Sequence, residues 1–347
     1  MRVVETSIII LMHNFAQLTL DCLESIAKNT KKNSYELIVV NNGSKQSQRR
    51  LLKNGLSKFD FSKVKIVDAT KNLGFAKGAN FGAKSASGEY IVFLNNDTIV
   101  SKNWLSEMTA FLGGNPQVAA CQPKLLSILN QKYFDYAGAA GGFLDIFGYP
   151  FARGRVFENV EEDFGQYDKP LEVFWATGAC LAIARSKFWK VGGFDENFIS
   201  YMEEIDLCIR LRKAKFKIYC VPSSLVFHWG AKTSNLDLAK KIFQHHHNHL
   251  YLLVKYYSVW SGLPIFFVSI FFDFSSIVFY LWHRQINNAF AVIKAYYVFS
   301  REIPDFIKQD VISWQGKSLL SDKKIYKSSV VFRYFFLGQK DFNQLMG

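Results

Sequence analysis

The chain has 347 residues, of which 49% are hydrophobic and 20% are charged, and this composition excludes a globally disordered protein. Its formal net charge of +13 indicates an anionic partner. The basic residues are spread out, without a zinc-finger, RNA-recognition or helix-turn-helix signature, so we expect no nucleic-acid partner and favour nucleotide diphosphates or anionic lipid head groups.

Strand and helix signals alternate over residues 1 to about 120. Short runs rich in β-branched residues predict buried strands, and helical stretches lie between them. The strands are predicted at residues 7–12, 36–40, 64–68 and 90–94, and the helices at 18–28, 46–56 and 76–86. This alternation predicts an α/β protein with a parallel, doubly wound sheet.

The middle of the chain is less regular. Residues from about 127 to 170 are rich in Gly and aromatic residues and lack periodicity, which predicts long loops or short irregular strands. Strand-like sequence returns at residues 171–184, followed by a predicted helix at about 203–214. Two further strands are predicted at residues 217–221 and 225–228.

The last third of the chain has a different composition. We interpret the histidine-rich run at residues 245–249 as the polar start of a helix rather than a metal site. Residues 263–282 are long and apolar enough to cross a hydrocarbon core, and residues 289–300 predict a second aromatic helix. Four polar positions of the longer stretch fall at helical spacing: Ser269, Asp273, Ser276 and Tyr280.

An ionised Asp at mid-bilayer costs about 2.5–3.5 kcal/mol. We therefore favour a helix lying in the membrane interface or packed on a partner over a spanning helix or a soluble core helix. Five scattered cysteines without a C-x-x-C pair argue against a disulfide framework and a zinc site, and indicate a reducing compartment. Residues 7–12 are too short for a signal peptide, so the predicted location is cytoplasmic.

Polar residues follow each of the first predicted strands. Ligands of open α/β sheets bind beyond the carboxyl ends of the strands, where a carboxylate suits a divalent metal that carries phosphate oxygens. Glycines in the turn after the third strand allow close backbone approach, and the spacing is not that of a dinucleotide fingerprint. The candidate residues are His13, Asn14, Asn41, Asn42, Gly74, Lys77, Asn95, Asn96 and Asp97.

Two later positions also carry candidate chemistry. Glu203, Glu204 and Asp206 lie at a predicted helix start, where they are either partners of the helix dipole or a general base whose pKa is raised by its neighbours. His228 ends a predicted strand and is either structural or a metal ligand.

The order of these motifs along the chain resembles that of the family 2 glycosyltransferases, in particular the bacterial rhamnosyltransferase-like branch. The resemblance covers about residues 5 to 235. The resemblance implies the GT-A fold, a Rossmann-like, mostly parallel sheet flanked by helices, with a C-terminal aromatic-rich helical extension. The motifs lie at residues 7–14, 39–44, 72–78, 93–97, 175–179, 192–196 and 203–208.

The resemblance also implies an activity. It is that of an inverting, metal-dependent transferase that moves a sugar from a dTDP- or UDP-sugar to a glycan or lipid-linked saccharide in surface polysaccharide biosynthesis. Residues 1–235 are then the transferase domain, and residues 236–347 a helical region that associates with a membrane or forms oligomers. The expected location is the inner face of the cytoplasmic membrane.

The residue roles implied by the resemblance are specific. Glu204 is the catalytic base, and Asp97 and His228 bind Mn²⁺ or Mg²⁺. The nucleotide is contacted by His13, Asn14, Asn41, Asn42, Gly74, Lys77, Asn95 and Asn96, and the acceptor by Trp175, Thr177, Gly178 and Asp195. Asn41 stands where the family commonly has an Asp that contacts the base, and His13 replaces an aromatic residue, so the nucleotide is left open.

Three alternatives are weaker. A sugar-phosphate nucleotidyltransferase needs a Gly-rich, basic first loop, which this chain lacks. A processive polysaccharide synthase needs several membrane spans, and only residues 263–282 qualify. A non-catalytic membrane-associated scaffold leaves the placement of Asp97, Glu204 and His228 unexplained.

Overall fold

The computed structural model describes residues 5–198, 200–230, 237–308 and 319–347. The chain divides into two compact units. The first comprises Met1–Gly142, Phe151–Thr233 and Lys340–Gly347, and the second comprises Phe143–Pro150 and Ser234–Gln339. The predicted division into residues 1–235 and 236–347 stays a prediction.

Strands and helices alternate at the start of the first unit, as predicted. The elements are β1 (Thr6–Met12), α1 (Ala16–Asn29), β2 (Tyr35–Asn42), α2 (Gln46–Leu56), β3 (Val64–Ala69), α3 (Phe75–Ala83) and β4 (Tyr90–Asn95). Strands β1, β2 and β4 are buried almost throughout because helices cover the sheet, which explains their unbroken apolar runs.

The rest of the first unit adds strands and helices of more varied length. They are β5 (Thr98–Val100), α4 (Trp104–Gly114), β6 (Val118–Ser127), β7 (Gly142–Leu144), β8 (Pro150–Ala152), β9 (Arg155–Val156), β10 (Asn159–Val160), β11 (Leu171–Glu172), β12 (Cys180–Ala184), α5 (Arg185–Lys190), α6 (Glu203–Lys213) and β13 (Lys217–His228). Strands β7 and β8 cross the boundary between the units.

Two strand predictions differ from the structure. The predicted strand at residues 171–184 is divided into β11 and β12, because the segment between them leaves the sheet. The two strands predicted at residues 217–228 are one strand, β13, with an irregular register between Val221 and Leu225. This irregularity contains Pro222, which has no N–H to donate to the ladder.

The strands of the main sheet run in the order β11-β13-β6-β12-β4-β1-β2-β3, and β5 pairs with β13. The pairings β1–β2, β1–β4 and β2–β3 are parallel, which confirms the α/β prediction. Strand β12 is antiparallel to β4 and β6. Because β1 to β4 are parallel, their carboxyl ends lie at one edge of the sheet, as required for a shared site.

The second unit is helical. Its elements are α7 (Leu238–Tyr256), α8 (Val259–Trp282), α9 (Ile286–Lys308), a 3-10 helix (Leu319–Ser321) and α10 (Val330–Phe335), while α11 (Phe342–Met346) belongs to the first unit. The prediction that residues 245–249 start a helix was wrong, since they lie inside α7. Among the described helices, α8 is the one that is long and apolar enough to cross a membrane. This judgement rests on length and composition only.

The five cysteines are free thiols and are buried in the first unit. Burial raises the pKa of the Cys22 thiol to about 12, so this group is neutral at physiological pH. The cysteines therefore act as small apolar core residues.

Candidate active site

The turns after β2 and β3 are locked together by Asn42. Its Nδ2 donates to Asn72 Oδ1 (3.2 Å) and to the Gly74 carbonyl (3.0 Å), and its Oδ1 accepts from the Leu73 N–H (2.8 Å). Gly43 has φ +68°, and a Cβ there would lie 2.3 Å from the Lys71 carbonyl carbon. A glycine is therefore required for this close approach.

The loop after β1 joins the same cluster. His13 Nδ1 donates to the Asn42 carbonyl (2.8 Å), and the Asn14 N–H donates to Ser44 Oγ (2.8 Å). Asn41 Nδ2 donates to Asp68 Oδ1 (2.8 Å), and Asn41 is buried. The structure thus brings His13, Asn14, Asn41 and Asn42 together, and their contact with a nucleotide stays a prediction.

Asp68, at the end of β3, is a carboxylate of this edge that the sequence analysis did not select. Arg49 Nε donates to its Oδ1 (2.8 Å) and Arg49 NH2 donates to its Oδ2 (2.5 Å). The hydrogen bonds from Arg49 hold the pKa of Asp68 below its usual value. A carboxylate of the neighbouring strand β3 therefore lies beside Asn41, the position on β2 where the family commonly has an Asp.

Asp97 and His228 face each other at the ends of β4 and β13. The distance from His228 Nε2 to Asp97 Oδ1 is 3.2 Å, and both side chains are buried. The Asn95 side-chain amide lies 3.5 Å from the same ring nitrogen. Asn96 points elsewhere, because its Nδ2 donates to Thr19 Oγ1 on α1 (3.0 Å). The motif at residues 95–97 therefore directs Asn95 and Asp97 to the histidine and uses Asn96 to anchor the turn.

Asp135 fixes the His228 ring from its other side. Asp135 Oδ1 lies 2.8 Å from His228 Nδ1. Burial lowers the pKa of His228, but hydrogen bonds to Asp135 and Asp97 outweigh burial and raise the pKa to about 10. A cation held at Nε2 would have to replace a proton there. Asp135 has no sequence signal of its own, because it lies in the aperiodic segment from about 127 to 170.

These donors fit a divalent cation. A carboxylate oxygen and an imidazole nitrogen converge, and a carboxylate behind the imidazole orients it, as is usual in metal sites. Within the described part of the chain, no group of three or more His, Cys, Asp or Glu side chains is arranged to hold a metal ion. The protein therefore offers Asp97 and His228, and diphosphate or water oxygens would complete the coordination.

Glu204 lies in the first turn of α6, after two non-glycine residues in the left-handed region, Tyr201 (φ 69°) and Met202 (φ 68°). Such conformations cost free energy and are found at functional sites. The Oε2 atoms of Glu203 and Glu204 are buried without a hydrogen-bond partner among the described residues. Asp206, by contrast, accepts a hydrogen bond from Arg210 Nε (2.8 Å).

The environment of Glu204 suits a general base. Burial raises the pKa of Glu204 to about 7, although hydrogen bonds from the backbone of Glu204 and Gly178 lower it in part. Burial and the charge of Glu204 raise the pKa of Glu203 well above its usual value. A carboxylate with a pKa near neutrality suits a general base, and Glu204 is the one of the pair whose pKa lies there.

Gly178 and Ala179 connect the two groups of site residues. A Cβ placed on Gly178 would lie 3.5 Å from Phe75 Cζ and 4.0 Å from Glu204 Cβ. The Asn95 N–H donates to the Ala179 carbonyl (2.9 Å). The segment therefore lies next to Phe75 of α3 and Glu204 of α6, and it is hydrogen-bonded to Asn95 at the end of β4.

The other candidate acceptor residues are buried or make hydrogen bonds to the backbone of their own segments. Trp175 and Thr177 are buried, and Thr177 Oγ1 accepts from the Ala179 N–H (3.1 Å). Asp195 Oδ1 accepts from the Asn197 N–H (3.0 Å), next to Glu196, which pairs with Lys77 (3.4 Å). Acceptor contact by Trp175, Thr177, Gly178 and Asp195 stays a prediction, as does nucleotide contact by Gly74 and Lys77.

The chain is similar to curated glycosyltransferases. It is 27% identical over 237 residues to the O-antigen biosynthesis protein RfbC of Myxococcus xanthus (67% of this chain, 18% of the relative). It is 40% identical over 93 residues to the N-acetylglucosaminyl-diphospho-decaprenol L-rhamnosyltransferase of Mycobacterium tuberculosis (27% and 30%). It is 26% identical over 163 residues to the rhamnosyltransferase WbbL of Escherichia coli (47% and 60%). The matches thus span less than two thirds of these relatives.

Solved structures show the same fold. GalNAc-T7 with UDP, GalNAc and Mn²⁺ matches with a TM-score of 0.55 and 18% identity, over 74% of this chain and 49% of that one. The mannosyltransferase PcManGT of Pyrobaculum calidifontis with GDP-Man and Mn²⁺ matches with a TM-score of 0.52 and 14% identity, over 88% and 81%. The fold is therefore GT-A.

The family model described as glycosyl transferase family 2 matches residues 7–192, which is more than half of the chain. The match includes the polar ends of β1 to β4, Asp135 and the Gly178–Ala179 segment. The chain therefore belongs to glycosyl transferase family 2.

Proposed function

We propose that this chain is an inverting, metal-dependent glycosyltransferase. It takes a sugar from a nucleotide-diphosphate donor, a dTDP- or UDP-sugar, and transfers it to a hydroxyl group of a glycan or lipid-linked glycan in surface polysaccharide biosynthesis. The observation that carries the proposal is the pairing of Asp97 with His228 at one end of the Gly178–Ala179 segment and Glu204 at the other.

The base acts on the acceptor. Ionised Glu204 takes the proton of the acceptor hydroxyl as that oxygen attacks the anomeric carbon, and the bond from this carbon to the diphosphate breaks. Attack from the face opposite the leaving group inverts the sugar in a single displacement. The pKa of about 7 lets Glu204 accept a proton at neutral pH and still be largely ionised slightly above it.

The Asp97–His228 pair acts on the donor. Asp97 and His228 would hold the divalent cation, and Asp135 keeps the imidazole turned towards it. When bound, such a cation neutralises charge on the diphosphate leaving group. The structural relatives crystallised with Mn²⁺ support this choice of ion. The turns of residues 41–44 and 72–78 would receive the nucleotide and phosphates at the start of α3.

The acceptor and location are proposed from the relatives and the charge. One relative acts on a decaprenol-linked saccharide, as its name states. The net charge of +13 suits a surface of anionic head groups. We therefore place the enzyme at the inner face of the cytoplasmic membrane, as a peripheral protein.

The test is the release of nucleoside diphosphate from a panel of dTDP-, UDP- and GDP-sugars, with Mn²⁺, with Mg²⁺ and with EDTA. The proposal predicts metal-dependent release from one donor class. Pyrophosphate release from a sugar phosphate and a nucleoside triphosphate would instead establish a nucleotidyltransferase. No turnover with any donor, under conditions where a known family member is active, would support the scaffold alternative.

A further inference from the structure

Helix α8 turns its polar face towards the protein and its apolar face outward, the reverse of what is expected for a helix in water. Its polar stripe is turned inward: Ser269 and Asp273 are buried, and Ser276 and Tyr280 are half-buried. Its opposite face carries large apolar side chains that are exposed, and only 17% of the apolar stretch Gly262–Trp282 is buried. A water-facing helix has the reverse arrangement.

Helix α9 continues this pattern. Its inner side packs through small and aromatic residues such as Ala291 and Ala295, while Phe290, Ile293 and Tyr297 are exposed at helical spacing. We define the aromatic face as the exposed side chains Phe267, Phe271 and Phe274 of α8 with Phe290, Ile293 and Tyr297 of α9. Exposed apolar clusters of this kind mark interaction surfaces.

The buried Asp273 and two half-buried polar side chains, His246 and Tyr296, hold α8 in this orientation. His246 Nδ1 of α7 lies 3.0 Å from Asp273 Oδ1, and Tyr296 OH of α9 donates to Asp273 Oδ2 (2.6 Å). Both carboxylate oxygens of Asp273 are therefore paired, one to each neighbouring helix. Rotation of α8 to bury its aromatic side would break both contacts and leave His246 and Tyr296 without their partner.

The charges next to the aromatic face are basic. Arg284, in the turn between α8 and α9, and Lys294 and Arg301 of α9 are exposed. The acidic side chains of α9 are already paired, Glu302 with His247 (2.7 Å) and Asp305 with Lys308 (3.6 Å). An anionic lipid surface complements this charge, whereas a second copy packed on the same face by a two-fold axis would bring like charges together.

We propose that the aromatic face inserts into the interface of an anionic bilayer, with α8 and α9 lying in the plane of the membrane. An in-plane position follows from Asp273, which lies near the middle of α8 and contacts His246 of α7. Helix α7 also carries Lys240 and Lys241. A spanning α8 would carry this polar contact to the bilayer centre at high cost. The inference rests on the proposed membrane location and assigns the surface responsible.

The experiment is vesicle flotation of the full chain with phosphatidylcholine alone and with phosphatidylcholine plus phosphatidylglycerol. The test variant is Phe271→Glu with Phe290→Glu, at positions that are 61% and 63% exposed. The control is Phe164→Glu with Leu129→Glu, which places the same two charges at apolar residues of the first unit that are 79% and 77% exposed. The wild type and control should float with the anionic vesicles, and the test variant should bind about tenfold more weakly or worse.

Several results would overturn the inference. They are the absence of wild-type flotation, equal flotation of the test variant, and wild-type binding that resists extraction at alkaline pH, which would indicate a spanning helix. A lipid-free dimer that the test variant dissociates, without vesicle binding by the wild type, would show that the face binds a second copy. Donor turnover is measured on the same samples: flotation without turnover contradicts the proposed reaction alone, and turnover without flotation contradicts this inference alone.

Discussion

Both units contain a buried carboxylate that is paired with a histidine, but the two clusters differ in whether a neighbouring carboxylate lacks a hydrogen-bond partner among the described residues. In the helical unit, Asp273 has one oxygen paired with His246 and the other with Tyr296. At the sheet edge, His228 lies between Asp97 and Asp135, and the nearby Glu204 has a buried oxygen without a hydrogen-bond partner among the described residues.

A buried atom without a partner is one mark of a functional group but does not suffice alone, since Ser269 Oγ and His249 Nδ1 of the helical unit also lack a hydrogen-bond partner among the described residues. A buried polar group normally finds its partners within the protein, because an unsatisfied one costs about 1–3 kcal/mol. The Asp273 cluster meets this rule and fixes how three helices pack. The site of Glu204 departs from it, which is expected where a substrate supplies the missing partner. The predictions below test this contrast and are ordered by their expected effect on turnover.

The largest effect is expected for Glu204→Gln, which keeps the shape of the side chain and removes the proton acceptor. Turnover should fall by about 10²- to 10⁴-fold, with donor affinity nearly unchanged. Nucleoside diphosphate release and donor titration measure the two quantities. Glu203→Gln is the matched control, because it makes the same change at the neighbouring buried carboxylate and should leave most of the activity. An equal loss in both variants would contradict the assignment of the base.

Asp97→Asn removes the carboxylate charge that faces His228 Nε2. We expect nucleoside diphosphate affinity in the presence of Mn²⁺ to fall by about 100-fold, with little change in EDTA. Isothermal titration under both conditions measures this difference. Asp60→Asn, at an exposed carboxylate paired with Lys32, is the control. Unchanged Mn²⁺-dependent binding would show that Asp97 is not a metal ligand.

Asp135→Asn tests a residue that acts through His228. Loss of its charge should loosen the orientation of the imidazole and weaken Mn²⁺ binding by about 10- to 100-fold. Electron paramagnetic resonance of free and bound Mn²⁺ measures the affinity without substrate. An affinity equal to that of the wild type would mean that Asp135 serves the fold alone.

Asp273→Ala should have the smallest effect on turnover and a large one on stability. It leaves His246 and Tyr296 without their partner, and an unsatisfied buried polar group costs about 1–3 kcal/mol. Urea unfolding followed by far-ultraviolet circular dichroism measures the loss. If donor turnover per folded molecule falls as far as in Glu204→Gln, the two clusters do not differ as described.

The sequence predicted the elements that follow from periodic patterns of apolar and polar residues. The strands β1 to β4 and the helices between them follow from apolar runs and spacing, and the polar residues at their ends lie at one edge. The helical spacing of Ser269, Asp273 and Ser276 also predicted the polar stripe of α8.

What could not be predicted depends on contacts distant in sequence. Asp135 lies in an aperiodic segment, and its role depends on a histidine 93 residues further along the chain. The Asn41–Asp68 contact depends on strand register. Periodicity identified the polar stripe of α8 but could not show that it faces inward, because the partners His246 and Tyr296 come from other helices.

The most direct test of the central claim is the pH dependence of kcat/KM for nucleoside diphosphate release by the wild type. The pKa of Glu204 is raised to about 7, so the base is protonated and inactive below this pH and becomes active as the pH rises through it. The predicted profile rises to a plateau with an apparent pKa near this value, and the residual activity of Glu204→Gln lacks the rise. A wild-type profile that is flat from about pH 5 to about pH 9 would contradict the account.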